Sequence, residues 1–256
     1  MMDALLTKPQ PTQEDGVLLL TEPDRTFESA YLAAREAENR IVDNELLAQL
    51  PATPNNHPHH REWKMRQKSS DRIMRLVSWN GPVLDLGCGN GWFTNLMAQQ
   101  SEHPVIGLDV NLPELKQAAA VFQRPNLSFA YGNVMADIFK PGSLHIIAIN
   151  SCLQYFEDAV GTLNYLKTLL HPEGRIFIID SPFYDADKVE GARQRSEEYY
   201  QKLGFPEMSA HYFHHPKSVL EPFRAEVVYD PNSIRNRARR LRGNIDSPFP
   251  MIRILA

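Results

Sequence analysis

Apolar positions along this chain change their spacing three times, and each change marks a different kind of element. From Thr26 onward Phe27, Tyr31, Ala34, Ile41, Leu46, Leu47 and Leu50 recur at helical spacing, with Thr26 or Asp24 placed to cap the start and Pro51 to end the run. PATPNNHPHH reads as a loop, after which Trp63, Ser70, Ile73, Met74 and Val77 mark an amphipathic helix running to Trp79. From Gly81 short apolar runs alternate with helical stretches. They are GPVLDLG, NGWFTNLMAQQ, HPVIGLDV, LPELKQAAAVFQR, LSFAYG, LHIIAIN, EDAVGTLNYLKTLL and GRIFIID. Strands that are apolar at nearly every position need cover on both faces, so the alternation predicts a doubly wound α/β fold with a mostly parallel sheet. Asn111 and Pro113 stand where the second of these helices would begin. After Ser181 the alternation breaks into a polar helix stopped by Gly204, the aromatic loop GFPEMSAHYFHH and the short helix PKSVLEPF. AEVVYD and FPMIRILA close the chain as two strands, and no internal repeat is visible.

Composition divides the same chain into regions. Residues 1–25, rich in Pro, Gln and Thr, read as a poorly ordered arm. Residues 26–80 read as an N-terminal helical cap, and 81–256 as the α/β core with a lid-like insertion at about 182–224. The first 60 positions hold ten Asp and Glu against four Lys and Arg. Over the whole chain the balance is 31 to 27, a net charge of -4 that gives no overall attraction to nucleic acid. With 256 residues, 43% of them hydrophobic, the chain can bury a core without staples. Cys88 and Cys152 are too few for a disulfide scaffold or a cysteine-only metal site. The start lacks a basic region leading into an apolar stretch, and no apolar run nears the roughly 18–20 residues that span a bilayer. A cytoplasmic protein without a membrane partner is therefore expected.

The chemistry concentrates in Asp85-Leu86-Gly87-Cys88-Gly89-Asn90-Gly91-Trp92, where a buried strand runs through three alternate glycines into a helix. Glycine permits positive φ and close approach of a ligand to the backbone. The helix that follows aims free N–H groups at the same point, beyond the strand ends where open parallel sheets bind ligands. An acid followed by glycines two, four and six positions on arises by chance in about one chain per hundred of this length, which favours a ligand loop over an ordinary turn. A dinucleotide loop would place its third glycine where Trp92 stands. The segment instead resembles the first motif of the class I S-adenosylmethionine-dependent methyltransferases, D/E-x-G-x-G-x-G, through Asp85, Gly87, Gly89 and Gly91, with Cys88 and Asn90 between them.

The resemblance runs over about residues 81–181 and implies a Rossmann-like, seven-stranded sheet whose last two strands AEVVYD and FPMIRILA would supply. It implies S-adenosylmethionine as cofactor and S-adenosylhomocysteine as product. Asp109, ending the second strand, would accept the ribose hydroxyls, an acid that would also serve NAD. Val110 and Leu112 would line the adenine; Asn133 stands where the family often has Asp, before Val134, with Asp137 as the fallback. Asn150 and Ser151, ending the fourth strand, fall where such enzymes contact cofactor and substrate, and Arg66 is a candidate for the methionine carboxylate.

In methyl transfer the cofactor brings the activated group, while the protein aligns the acceptor and excludes water. Tyr155 and Tyr184 are the proposed proton acceptors, with His211, His214 and His215 behind them. Asn150 and Ser151 replace the carboxylates a metal-assisted site would need, so no metal is expected; SCLQYF lacks the signature of amino-adenine methylases, so DNA is not expected either. His57, His59 and His60 read as a solvated linker. Arg235, Arg237, Arg239, Arg240 and Arg242 read as a basic loop pairing with the acidic N-terminal region, or as a contact for RNA. The leading expectation is a methyltransferase acting on an O or N atom of a small metabolite or natural product. Methylation of RNA or protein ranks second, and a non-catalytic cofactor-binding protein third.

Overall fold

The computed structural model describes residues 4–8, 11–23 and 25–256. Its nine strands are β1 (Thr12–Glu14), β2 (Val17–Leu19), β3 (Val83–Leu86), β4 (Val105–Asp109), β5 (Leu127–Tyr131), β6 (Leu144–Asn150), β7 (Leu170–Ile179), β8 (Glu226–Tyr229) and β9 (Met251–Leu255). The α-helices are α1 (Arg25–Ala37), α2 (Asn44–Gln49), α3 (His60–Leu76), α4 (Trp92–Gln100), α5 (Leu112–Val121), α6 (Ala159–Leu169), α7 (Val189–Leu203) and α8 (Ile234–Leu241). Across the sheet the strands lie in the order β1-β2-β5-β4-β3-β6-β7-β9-β8. From β5 to β8 these are the seven strands the sequence predicts, with β9 antiparallel to both of its neighbours.

The remaining two strands correct the expected arm over 1–25. β2 pairs in parallel with β5, and β1 folds back on β2 as a hairpin. Val17 is fully buried, and Leu5 and Leu6 are buried beside Ile138 and Phe139. A few aliphatic residues scattered among Pro, Gln and Thr thus extend the sheet, a contribution their average composition hides. Of the two caps suggested for the first helix, Asp24 and the side chain of Thr26 lie outside the described residues.

Alternation along each central strand splits the core between the two faces. Leu84, Leu86, Ile106, Leu108, Ile147 and Ile149 face α6, where Leu163 and Leu166 meet them. Val83, Val105, Ile146 and Ala148 face the other way, toward Phe93 and Met97 of α4, Leu115 of α5 and Ile73 of α3.

The helical spacing seen from residue 26 to 50 divides into α1 and α2, because Asn39 takes a left-handed φ of 55° and Asp43 caps a new start, accepting Leu46 N at 2.8 Å. α3 stops at Leu76 because Val77 is extended. In the inserted segment α7 ends at Gly204 with φ 92°. Pro206–His211, read as loop, forms a 3-10 helix, as does Lys217–Phe223. Met208 packs with Ala34 of α1 and Tyr200 of α7, so the insertion touches the N-terminal helices over the sheet edge. The arginine segment is α8 rather than a loop, and among the described residues Arg235, Arg237, Arg239, Arg240 and Arg242 form no ion pair with the acidic N-terminal region.

Candidate active site

β3 delivers the chain to the glycine loop at the carboxyl edge of the sheet, and the three glycines there have different tasks. All three adopt left-handed φ: 72° at Gly87, 52° at Gly89 and 76° at Gly91. A Cβ on Gly87 would run into Cys152 Sγ, and one on Gly91 into the Phe129 ring and Ala118. These two let the loop pack against its neighbours. A Cβ on Gly89 would meet only Glu114 Oε2, at 3.4 Å, on the side of a cavity of about 1170 Å³. Gly89 is therefore the position where a ligand can lie against bare backbone.

The neighbouring strand supplies the acceptor. Asp109 Oδ2 takes the N–H of Gly89 at 2.8 Å, while Oδ1 takes those of Val110 at 2.7 Å and Asn111 at 3.0 Å. A carboxylate oxygen accepts about two hydrogen bonds, so Oδ2 keeps capacity for a hydroxyl. Burial raises the Asp109 carboxyl, against the lowering effect of its three backbone donors. Beneath the loop, Asp85 Oδ2 accepts Thr94 Oγ1 at 2.6 Å and Oδ1 has no partner among the described residues. Burial pushes Asp85 up to about 7, and the Asp109 charge adds to the rise. Burial and Asp109 push Glu114 up to about 7 as well. Three crowded carboxyls on one wall favour a ligand that brings hydroxyls or positive charge.

The N-terminal helices close the cavity from above. Glu28 of α1 accepts Leu112 N at 2.9 Å, which fixes α1 over the start of α5. An alternating chain of charges continues from α1 to α3: Arg35 to Glu38 at 3.3 Å, Glu38 to Arg40 at 3.2 Å, Arg40 to Glu62 at 2.8 Å and Glu62 to Arg66 at 2.9 Å. Burial alone would raise Glu62, but the Arg40 hydrogen bond and the Arg66 charge outweigh it and bring the carboxyl to about 2. Tyr199 of α7 donates to Glu38 at 2.5 Å, tying in the insertion. Under this roof Tyr31 and Tyr155 meet edge-on at 6.2 Å, and Tyr155 meets Tyr212 at 5.8 Å.

Arg66, Asp85, Gly87, Cys88, Gly89, Asn90, Asp109, Val110, Asn133, Val134, Asn150, Ser151, Tyr155 and Tyr184 all line the cavity, whereas Gly91 serves packing behind it. The guanidinium of Arg66 is engaged by Glu62 through Nε at 3.0 Å and an amino nitrogen at 2.9 Å. Asn133 Oδ1 accepts Met135 N within its own turn, and the fallback Asp137 stands off the cavity, taking the Tyr165 hydroxyl at 3.2 Å. Tyr155 and Tyr184 are both driven upward by burial, away from the range of a proton acceptor at neutral pH. Of the three insertion histidines only His211 lines the cavity; His214 is turned to Ser196 and His215 to Leu153 O. His57 and His59, read as solvated linker, stand on the cavity rim, with His59 Nε2 2.9 Å from Glu38 O.

Sequence reasoning missed Tyr31, Arg35, Glu38, Glu62, Glu114 and Asp180, all on the cavity wall. Asp180 follows β7 with a φ of 50°, and its Oδ1 accepts Ser69 Oγ at 2.8 Å and Ser247 Oγ at 2.6 Å, while Oδ2 is buried without a donor among the described residues. A carboxylate ending an apolar strand, the signal that singled out Asp109, was present there too. The acids of α1 and α3 gave no such signal, because they reach the site only through tertiary packing.

Strand order, glycine loop and strand-end carboxylate define a Rossmann-like class I methyltransferase fold. Residues 83–174 match the family model described as a methyltransferase domain. A demethylmenaquinone methyltransferase of Lactiplantibacillus plantarum is 30% identical over 128 residues, 48% of this chain and 52% of that protein. A trans-aconitate 2-methyltransferase of Deinococcus radiodurans is 37% identical over 93 residues, 36% of this chain and 34% of that protein. The chain thus spans about half or less of the curated relatives it matches. Among solved structures, geranyl diphosphate C-methyltransferase from Streptomyces coelicolor, 12% identical, superposes with a TM-score of 0.58 over 91% of this chain and 98% of that one. This likeness in fold thus reaches well beyond residues 83–174.

Proposed function

We propose that this protein is an S-adenosylmethionine-dependent methyltransferase that methylates an oxygen or nitrogen atom of a small metabolite or natural product and releases S-adenosylhomocysteine. The observation that carries the reading is the pairing of Gly89, bare toward the cavity, with Asp109 Oδ2, which retains acceptor capacity for a ribose. The bound cofactor supplies a sulfonium-activated methyl group. Val110 and Val134, which line the cavity, would hold its base, and Asn150 and Ser151 would stand toward the acceptor. The cap over 26–80 and the insertion over 182–224 form a chamber that excludes water and holds the acceptor. Tyr31, Tyr155 and Tyr212 make its wall amphipathic. An oxygen acceptor would lose its proton to Asp180, whose buried carboxyl is shifted upward, rather than to either tyrosine. The relatives named for demethylmenaquinone and trans-aconitate support a small-molecule acceptor.

Calorimetric titration with S-adenosylmethionine and S-adenosylhomocysteine tests the first step, and label transfer from methyl-labelled cofactor to a panel of small hydroxylated and amino compounds tests the second. Absence of binding heat with both cofactor forms on folded protein would overturn the reading. A second reading, with RNA or protein as the acceptor, would rest on the five arginines of 235–242, which form no ion pair among the described residues. Transfer to tRNA or ribosomal RNA with none to small molecules would put that reading first.

A further inference from the structure

We infer that α8 is a foot that docks the protein on an anionic phospholipid surface. An ordinary surface helix turns its apolar stripe inward. In α8 the stripe faces out: Ile234, Ala238 and Leu241 fall at i, i+4 and i+7 on one side, and Ile234 and Leu241 are each 90% exposed. Arg237 and Arg240 flank that stripe on one side, and Arg235, Arg239 and Arg242 on the other. No Asp or Glu lies between Pro231 and Ile245, and among the described residues none of the five arginines is ion-paired.

The segment is held at its base and free at its tip. The Tyr229 hydroxyl donates to Ser247 O at 2.9 Å, closing the excursion between β8 and β9. Arg72 lies over the Tyr229 ring at 3.7 Å and pairs with buried Asp246 at 3.0 Å. Asn236 Nδ2 donates to Asp230 O at 2.7 Å on the approach to the helix. Six residues beyond Leu241, Ser247, Pro248 and Phe249 line the active-site cavity. The foot is thus joined directly to the cavity wall.

An anionic bilayer meets both halves of this surface. Lipid phosphates take the guanidinium forks, and the boundary between headgroups and acyl chains takes the two aliphatic side chains. Nucleic acid offers phosphates but nothing for Ile234 and Leu241, and a second copy packed on the same face would bring its arginines against these. Docking of this kind is peripheral and needs no spanning segment; among the described residues no helix is long and apolar enough to cross a membrane.

The test sediments the full chain with sucrose-loaded vesicles, either phosphatidylcholine alone or phosphatidylcholine mixed with phosphatidylglycerol. Two variants accompany it: Ile234→Ser with Leu241→Ser, and Arg237→Gln with Arg239→Gln and Arg240→Gln. All five positions are on the surface, and circular dichroism checks the fold. The expected result is binding to the anionic vesicles alone, weakened by added salt and reduced about tenfold or more by either variant. Failure of the wild-type chain to bind anionic vesicles overturns the proposal. So does a serine variant that binds as the wild type does, a dimer that the serine pair dissolves, or RNA binding without vesicle binding. None of these readouts uses the cofactor, so the outcome is independent of methyl transfer.

Discussion

The backbone N–H of Gly89 and the carboxylate of Asp109 lie 2.8 Å apart, so the loop after β3 and the end of β4 are joined by a hydrogen bond of the protein's own. The bond aims the carboxylate into the cavity and fixes the one loop glycine that has space beside it. Binding of a nucleoside there would add to a geometry already set, so little ordering cost would be expected.

Gly89→Val should abolish binding of S-adenosylhomocysteine, because its branched side chain fills the ligand face and strains a φ of 52°. The chain should stay folded, since a Cβ there meets only the end of the Glu114 side chain. Gly91→Val should instead lower thermal stability, because its side chain must displace Phe129 and Ala118. Calorimetry and thermal denaturation on both variants separate the two effects. Equal loss of stability in both would remove the distinction.

Asp109→Ala should weaken the same ligand by about 1–3 kcal/mol, the scale of a hydrogen bond to a charged group. It also releases the N–H groups of Gly89, Val110 and Asn111, so some loss of loop order should accompany it. Unchanged affinity would place the ribose elsewhere.

How much of this was legible beforehand follows the range of the forces involved. The glycine loop, Asp109 and the core strands declare themselves locally, through backbone demands and alternation that neighbouring residues impose. The hairpin β1–β2 did not, because its pairing with β5 depends on residues more than a hundred positions away. The roof was also hidden: Arg35, Glu38, Arg40, Glu62 and Arg66 look like ordinary surface charges until α1 and α3 come together. Arg66 lines the cavity, and its guanidinium is already held by Glu62. α8 was misread because arginine-rich sequence says nothing about which face of a helix the fold leaves open.

Glu62→Gln should loosen that roof. Folded Glu62 titrates near 2, below its unfolded value, so its contribution is present above about 4.5 and is lost as pH falls toward 2. The variant should be less stable by about 1–3 kcal/mol at pH 7, with the gap narrowing below pH 4.5. Denaturant melts at pH 7 and pH 4 provide the comparison; a gap that does not narrow would mean that the ionised carboxylate is not what holds α1 to α3.

Asp85 carries the opposite sign. Its folded carboxyl titrates near 7 against roughly 3.9 in an unfolded chain. Between those values the folded state holds the extra proton, so stability falls as pH rises through the window and the contribution is gone above about 7. Asp85→Asn keeps an oxygen for the Thr94 hydroxyl and never acquires the charge. It should therefore be more stable than the wild type at pH 8, by a difference on the order of 3 kcal/mol, and closely matched at pH 4. Denaturant titrations at the two pH values decide it, and a variant equally destabilised at both would show that Asp85 is held as an ion.

Asp180→Asn and Tyr155→Phe divide the remaining chemistry at the sheet edge. Burial raises both groups, but for the carboxyl the shift runs toward neutrality and for the phenol away from it. With an oxygen acceptor, Asp180→Asn should lower kcat by about 10²–10⁴ and remove the acidic limb of the pH profile, since amide nitrogen takes no proton at these pH values. The asparagine still accepts the Ser69 and Ser247 hydroxyls, so thermal stability should hold. Tyr155→Phe leaves the edge contacts with Tyr31 and Tyr212 in place, so its effect should fall mainly on KM for the acceptor. A large loss of kcat in the phenylalanine variant, with the asparagine variant near normal, would return the proton to the tyrosine.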